Sequence, residues 1–178
     1  MTIKIFDTDC AINLFERMSS YDCAPFLSSY DVITTEEVFK ELYIGNPQKN
    51  NFHRIHSLSS EEKELQSALS KYITKLGRGE VSVITHALHL SNVYDCEHTN
   101  KIVILCNDRE AKHIFKNVIC RDPALLKNFP YIHKIIWSQT VDFIRKLWDE
   151  GYINNDDADG IYADLYLIIG PKLNFLKR

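Results

Sequence analysis

The stretch IKIFDTDCAINLF, residues 3–15, joins a short apolar run to a helical pattern through two acids. The run IKIF (3–6) is typical of a buried strand, because it is short and rich in β-branched and aromatic residues. Asp7 and Asp9 follow it at once. Asp9 could cap the next helix while Asp7 is solvated, or the strand could carry charge to a metal or a substrate. The rest of the chain is needed to choose between these interpretations.

The segments that follow alternate between strand and helix patterns. Strand patterns recur at DVIT (31–34), IVILC (102–106) and HKIIW (133–137). Helical patterns separate the strands and cover residues 10–18, 36–43, 60–75, 79–93 and 109–117. Strands separated by helices predict an α/β fold, with a central parallel sheet flanked by helices on both faces. Residues 138–168 differ, since they predict two helices around the turn GYINNDD (151–157).

Composition narrows the class of protein and its setting. The 178 residues, 45% of them hydrophobic, predict one globular domain with its own core. Because the net charge is −3, nucleic-acid contact would have to come from a local basic patch. We expect neither a signal peptide nor a membrane span, since no apolar run approaches about 20 residues. The five cysteines lack framework spacing, which favours a reducing, cytoplasmic location.

Four acids stand where a predicted strand ends or a predicted helix begins or ends. They are Asp7, Glu41, Glu80 and Asp108. In a parallel sheet with helical crossovers, ligands bind beyond the carboxyl ends of the strands. Clustered carboxylates raise one another's pKa unless a cation lies between them, and Mg²⁺ or Mn²⁺ is the cation that prefers oxygen ligands. Such ions lower the pKa of a bound water and support phosphodiester cleavage.

Each acid taken alone also has a structural interpretation. Glu41 borders the apolar face of its helix and could be solvated. Glu80 opens a helix that is apolar over most of its circumference, where the helix dipole favours a carboxylate. Asp108 could cap the helix that follows it. Thr34 and Glu37 have the spacing of a capping box, which gives Glu37 a structural role. The joint arrangement of the four acids favours a shared site.

A zinc site is not expected from the sequence. His86 and His89 lie three residues apart on one predicted helix, but no cysteine or acid ligand stands near them in the chain. Structural zinc sites usually need four ligands. Both histidines are therefore interpreted as packing or surface residues.

The motifs together resemble a PIN domain, the fold of many small RNA-cleaving nucleases, over roughly residues 3–150. The strand–DTD–helix segment resembles the first motif of that family, TTEEVFKEL the second, LGRGEVSVITHAL the third in its Gly-Glu version, and ILCNDREAK the fourth. The resemblance implies a single PIN-like domain over residues 1–178, with a core of about 1–150 and a C-terminal helical extension (151–178). Two segments are longer than is usual in the family, SNVYDCEHTNK (91–101) and CRDPALLKNFPYIHK (120–134).

The resemblance implies a Mg²⁺- or Mn²⁺-dependent endoribonuclease. Its catalytic residues and metal ligands would be Asp7, Glu41, Glu80 and Asp108. Residues behind these ligands would support the site, namely Thr8, Asp9 and Asn107. Many short bacterial members are toxins, and many dimerise. The implied partners are therefore an RNA substrate, with tRNA as one candidate, a small antitoxin and a second copy of the chain.

RNA contact also needs cations near the acids. Arg109, Lys112 and Lys116 fall at i, i+3 and i+7, which is one face of the predicted helix. We predict that this face contacts phosphates, with a merely solvated face as the alternative. A second basic group is formed by Lys49, His53, Arg54 and His56.

Two other functions fit parts of the sequence. FDTDCAI also resembles the D-x-D start of haloacid-dehalogenase-like phosphatases, with Asp7 as nucleophile and Asp9 as general acid. NDDADG (155–160) would then be the late metal motif. However, Cys-Ala replaces the Gly-Thr that should follow D-x-D, and Glu41 and Glu80 have no task in that mechanism. The other alternative is a non-catalytic PIN-like module that binds RNA or protein.

Overall fold

Five parallel strands form the central sheet of the protein. A computed structural model describes residues 2–17, 28–42, 52–72, 74–93 and 101–169. The strands are β1 (Thr2–Phe6), β2 (Asp31–Thr35), β3 (Arg54–His56), β4 (Lys101–Leu105) and β5 (Ile136–Ser138). They are arranged in the order β3-β2-β1-β4-β5. Phe6 of β1 lies beside Thr34 of β2 and Leu105 of β4, so the strands end together at one carboxyl edge.

Eight α-helices connect or follow the strands within the described ranges. They are α1 (Thr8–Arg17), α2 (Glu36–Glu41), α3 (Ser60–Tyr72), α4 (Arg78–Val93), α5 (Arg109–Asn117), α6 (Pro123–Asn128), α7 (Thr140–Asp149) and α8 (Asn155–Ile169). Two short 3-10 turns precede β5, at Ile119–Arg121 and Ile132–Lys134. The predicted α/β fold class with a parallel sheet is confirmed, and so are the two helices of the C-terminal third.

Side chains of the central strand alternate between two cores. Ile3 and Ile5 are fully buried in a core that includes Leu88 of α4. Phe6 points to the opposite face and stacks on Phe15 of α1, with ring centroids 5.3 Å apart. Helices therefore cover both faces of the sheet, which is the reason that β1 is an almost continuous apolar run.

Helix α4 is the most deeply buried helix that bears on the site. Its residues from Val81 to Leu88 are all buried, as its apolar pattern predicts. Gly79 lies within the first turn of α4. The preceding helix already ends at Tyr72. This burial fixes the position of Glu80 in the first turn of α4.

The capping box predicted for Thr34 and Glu37 is wrong. Thr35 is the residue that caps α2, and its side chain accepts a hydrogen bond from the Val38 N–H. The Thr34 hydroxyl instead donates to the carbonyl of Phe6, at 2.9 Å, and is fully buried. One carboxylate oxygen of Glu37 is buried with no hydrogen-bond partner among the described residues.

Strand predictions fail at the two edges of the sheet. β5 begins at Ile136, because residues 132–134 form a 3-10 turn rather than strand. β3 was not predicted, since it is three residues long and its Ile55 is exposed. Both are edge strands, which need less apolar sequence than a central strand such as β1.

The two long segments have different outcomes. Residues 120–134 contain α6, and their buried Ile132 packs in the same core as β1 and α4. Within 91–101, residues 94–100 lie outside the described residues. Among the helices that the structure describes, none has the length and apolar character required to cross a membrane.

Candidate active site

Asp7 lies at the centre of the carboxyl edge. Its backbone N–H donates to the carbonyl of Leu105 at 2.9 Å, which continues the pairing of β1 with β4, and the residue is 4% exposed. Burial first, and then the charge of Glu80, raise the pKa of Asp7 to about 7, although hydrogen bonds from the Cys106 thiol and the Thr8 N–H oppose the rise. The ionised form of Asp7 is therefore costly in this environment.

Glu41, the last residue of α2, is held above the start of α4. The Thr8 hydroxyl donates a hydrogen bond to its carboxylate. A Cβ built on Gly79 would lie 3.0 Å from both carboxylate oxygens of Glu41. The glycine therefore leaves the space that the carboxylate occupies. Although Glu41 is exposed, as the structural interpretation expects, it is positioned by two other segments of the chain.

Glu80 stands half-buried in the first turn of α4. Burial raises its pKa, and the charges of Glu41, Asp108 and Asp9 raise it further. Its carboxylate lies against Gly77, where a side chain would collide with it. The two glycines of the LGRGE motif thus serve two different acids, Gly79 for Glu41 and Gly77 for Glu80.

Asp108 is the N-cap of α5. Its Oδ1 accepts a hydrogen bond from the Ala111 N–H at 2.7 Å, so the structural interpretation of this acid holds. The cap engages one carboxylate oxygen, and the residue is exposed. Because a carboxylate has a second oxygen, capping and metal contact are compatible. The charge of Asp108 reaches the site, since it contributes to the raised pKa of Glu80.

The predicted supporting residues have three different positions. Thr8 contacts Glu41 directly. Asp9 is exposed on the first turn of α1, and its charge raises the pKa of both Asp7 and Glu80.

The third supporting residue, Asn107, acts on a neighbouring loop. Its side-chain Nδ2 donates to the Thr140 hydroxyl at 2.9 Å, and its side-chain Oδ1 accepts from the Thr140 N–H at 3.0 Å. Asn107 thus anchors the loop that carries Asp108 to the start of α7.

The four acids come from four segments, and their charges act on Asp7 and Glu80. Glu80 raises the pKa of Asp7, and Glu41 and Asp108 raise that of Glu80. Their donor atoms are all carboxylate oxygens, the ligands preferred by hard cations such as Mg²⁺ and Mn²⁺. The chemistry of the donors thus suits the metal that the sequence motifs imply, but the group of described residues whose ligand atoms all lie within 4.8 Å of one another is His56, Glu62 and His86, not these acids.

Basic residues lie on the Asp108 side of this edge. Arg109 and Lys116 of α5 are exposed and Lys112 is half-buried, while Ala111 and Phe115 face the core. The three cations therefore share the solvent-facing side of the helix, as predicted. Whether they contact phosphate stays a prediction.

The second predicted basic group is largely engaged with acids. Arg54 pairs with Asp31, and His56 contacts Glu62 at 2.8 Å. Nδ1 of His53 accepts a hydrogen bond from the Val32 N–H, and Lys49 lies outside the described residues. This group therefore does not form the basic patch that its sequence predicts.

A cavity of about 470 Å³ lies on the Glu41 side of the acids, between α2, α3 and α4. Its lining includes three cationic side chains, from Lys40, Lys63 and Arg78. Lys40 also pairs with Glu36 at 3.3 Å. Sequence reasoning missed this cavity, because its walls come from three helices, and their packing against one another is not encoded in any one motif.

The acidic run at 155–160 has a structural role. Asp157 Oδ2 accepts a hydrogen bond from the Asn154 N–H, and Asn154 Oδ1 accepts one from the Asp157 N–H at 2.8 Å. This reciprocal pair caps α8. Asn155 Oδ1 accepts a hydrogen bond from the Trp148 indole at 2.8 Å. These contacts give Asn155 and Asp157 structural roles at the start of α8.

No family model, curated protein or solved structure matches this chain. The fold and the site by themselves define an α/β domain with four carboxylates gathered at the carboxyl edge of a parallel sheet.

Proposed function

We propose that the protein is a Mg²⁺- or Mn²⁺-dependent endoribonuclease whose active site is the carboxylate cluster. One observation carries the proposal: Asp7 is buried at the centre of the carboxyl edge, and its pKa is raised to about 7 by burial and then by the charge of Glu80. A purely structural carboxylate would have partners that keep its pKa near or below the ordinary value, whereas the hydrogen bonds from the Cys106 thiol and the Thr8 N–H do not offset the rise at Asp7. Asp7 instead has acidic neighbours, an arrangement that favours a divalent cation.

The protein residues hold the oxygen donors in fixed positions. Asp7 is fixed by the backbone pairing of β1 with β4, and Glu41 is held by the Thr8 hydroxyl. Glu80 is fixed by buried α4, and Asp108 by its cap. A bound divalent ion would supply a water of lowered pKa and charge stabilisation at the phosphorus. Rigid donors of this kind are a requirement for such a site.

Cations on two sides of the acids support a polyanionic substrate. Arg109 and Lys116 follow Asp108 on α5, and Lys63 and Arg78 line the cavity beside Glu41. A phosphomonoester needs one anion site, whereas a nucleic-acid strand contacts phosphates on both sides of the bond that is cut. RNA rather than DNA, tRNA as one candidate, a small antitoxin and a homodimer are included in the proposal on the resemblance to PIN domains alone.

The test is cleavage of end-labelled structured RNA, tRNA included, with Mn²⁺ or with EDTA. The unaltered chain is compared with Asp7→Asn and with the control Asp122→Asn, because Asp122 is an acid that caps α6. The proposal predicts metal-dependent internal cuts that are lost in Asp7→Asn and kept in Asp122→Asn. Hydrolysis of a phosphomonoester with intact RNA would favour the phosphatase alternative. Equal cleavage by the Asp7→Asn protein would refute the proposed site.

A further inference from the structure

Two histidines and a glutamate form a compact cluster away from the four acids. His56 ends β3, Glu62 lies in the first turn of α3, and His86 lies in the middle of α4. Glu62 Oε2 is 2.8 Å from Nε2 of His56, and Glu62 Oε1 is 2.8 Å from Nδ1 of His86. The three ligand atoms lie within 4.8 Å of one another. The cluster thus joins three secondary-structure elements through two imidazole nitrogens and a carboxylate.

Burial distinguishes this cluster from a surface ion pair. The Glu62 side chain is 1% exposed and that of His86 is 4% exposed, while His56 is 30% exposed and leaves one open side. Glu62 is also fixed by a capping box, in which the Ser59 N–H donates to Oε2 at 2.8 Å and the Ser59 hydroxyl accepts from the Glu62 N–H. The carboxylate is therefore held in place before any ligand binds.

We propose that His56, Glu62 and His86 form a binding site for a transition-metal ion of the Zn²⁺ type. Two imidazole nitrogens and one carboxylate are a recognised ligand set for zinc, with a water in the fourth position. The open side at His56 is where that water and the entering ion would lie. Nitrogen ligands also separate this site from the carboxylate cluster, because Mg²⁺ prefers oxygen ligands alone.

The metal-free geometry shows which ligand has to move. The imidazoles of His56 and His86 are stacked, with ring centroids 3.7 Å apart and planes at 18°. Ligand atoms around a tetrahedral zinc are about 3.3 Å apart, given metal–ligand bonds of about 2.0 to 2.1 Å. The present separations of 2.8 Å correspond to hydrogen bonds, so each imidazole would have to carry its proton on the ring nitrogen that does not face Glu62, Nδ1 of His56 and Nε2 of His86, to leave the other nitrogen for the ion. His56 is the residue able to turn, since it is partly exposed on an edge strand, whereas His86 is buried in the middle of α4.

His86 has an acid neighbour that its local sequence does not show. Glu62 stands 24 residues earlier in the chain. His86 is buried, as a packing residue would be, and His89 does not belong to the cluster.

The proposal is tested by titrating the full-length protein with Zn²⁺, and with Co²⁺ as a spectroscopic probe. We expect one Zn²⁺ per chain and a visible Co²⁺ absorption typical of low coordination number. His56→Gln is the main variant, because its partly exposed position tolerates substitution. Its affinity should fall at least about tenfold, the loss that even outer-shell partners cause. His89→Asn is the matched control from α4 and should bind normally.

Three results would overturn the proposal. The first is that the unaltered chain binds no Zn²⁺, and the second is that His56→Gln and the unaltered chain bind it equally. The third is that binding survives in His56→Gln but is lost in Asp7→Asn, which would place the ion among the four acids. Because Mg²⁺ is absent from all these titrations and RNA cleavage is not the readout, the outcome is independent of the proposed nuclease activity.

Discussion

Replacing Asp7 by Asn should stabilise the metal-free protein. The pKa of Asp7 is raised from 3.8 to about 7, and the shift of roughly three units corresponds to about 4 kcal/mol. Asn fills nearly the same space but accepts less strongly from the Thr8 N–H and the Cys106 thiol, a loss of about 1 kcal/mol or more. The net gain in the free energy of unfolding is therefore about 2 to 3 kcal/mol in the presence of EDTA.

The sign of this effect depends on pH in a defined way. In the folded protein Asp7 keeps its proton up to about pH 7, whereas in the unfolded chain it loses the proton near its ordinary pKa of 3.8. The folded state thus binds more protons between these values, and its stability falls as the pH rises through that window. The advantage of Asp7→Asn should be absent at pH 3.8 and complete above pH 7.

Urea unfolding at pH 4, 6 and 8 in EDTA measures the difference directly. A gain that grows from pH 4 to pH 8 supports the reasoning, and Mn²⁺ should then stabilise the unaltered chain more than the variant. A variant that is less stable at pH 8, or a gain that does not change with pH, would show that Asp7 is a structural acid.

Three further substitutions are informative. Asp108→Asn should change the free energy of unfolding by no more than about 1 kcal/mol, because Asn caps as well as Asp, yet it should lose cleavage. The control Asp122→Asn at the cap of α6 should keep both stability and cleavage. Equal cleavage by the Asp108→Asn protein and the unaltered chain would exclude a metal role for Asp108. Gly79→Ala would place a Cβ 3.0 Å from the carboxylate oxygens of Glu41. We therefore expect cleavage to be at least about tenfold slower, which corresponds to about 1.4 kcal/mol in activation free energy, while the helix itself gains stability from alanine. A variant that cleaves at the normal rate would contradict the positioning role of Gly79. Burial, and then the charge of Lys146, lower the pKa of Lys4 to about 8. Charged Lys4 therefore destabilises the folded state at pH 7, and this destabilisation is lost by about pH 10.5. This pKa shift corresponds to about 3.4 kcal/mol, so Lys4→Met should stabilise by about 2 kcal/mol at pH 7 after subtraction of about 1 kcal/mol for the cation–π contacts with Tyr30 and Phe143 that it removes. Urea unfolding at pH 10 should show a smaller gain.

Features that depend on one short segment can be predicted from the sequence. The apolar run before Asp7 predicts β1, and the apolar circumference of 81–90 predicts a buried α4, because each pattern reflects the burial of its own element. The position of all four acids at one edge follows from the rule that parallel strands share a carboxyl end. Local composition and one topological rule thus determine the fold class and the acid edge.

Features that depend on contacts between distant segments cannot be predicted from the sequence in this way. The hydrogen bond from Thr8 to Glu41 spans 33 residues, and the contact between Glu62 and His86 spans 24. Nothing in either local sequence specifies the partner, since the first contact depends on how α1 packs on α2 and the second on how α3 packs on α4. The cavity beside Glu41 has the same origin. A carboxylate in a short motif can be predicted, but the side chain that orients it is a property of the packing.

The acid edge and the rest of the fold have opposite effects on stability. The raised pKa values of Asp7 and Glu80 mean that their ionised forms destabilise the metal-free protein. The fold tolerates this because both acids are attached to its most buried elements, the central strand β1 and helix α4, which cannot move aside to relieve the repulsion. A flexible loop would let the carboxylates separate and lose the geometry that a cation needs. The burial of β1 and α4 therefore both raises these pKa values and holds the two acids in place.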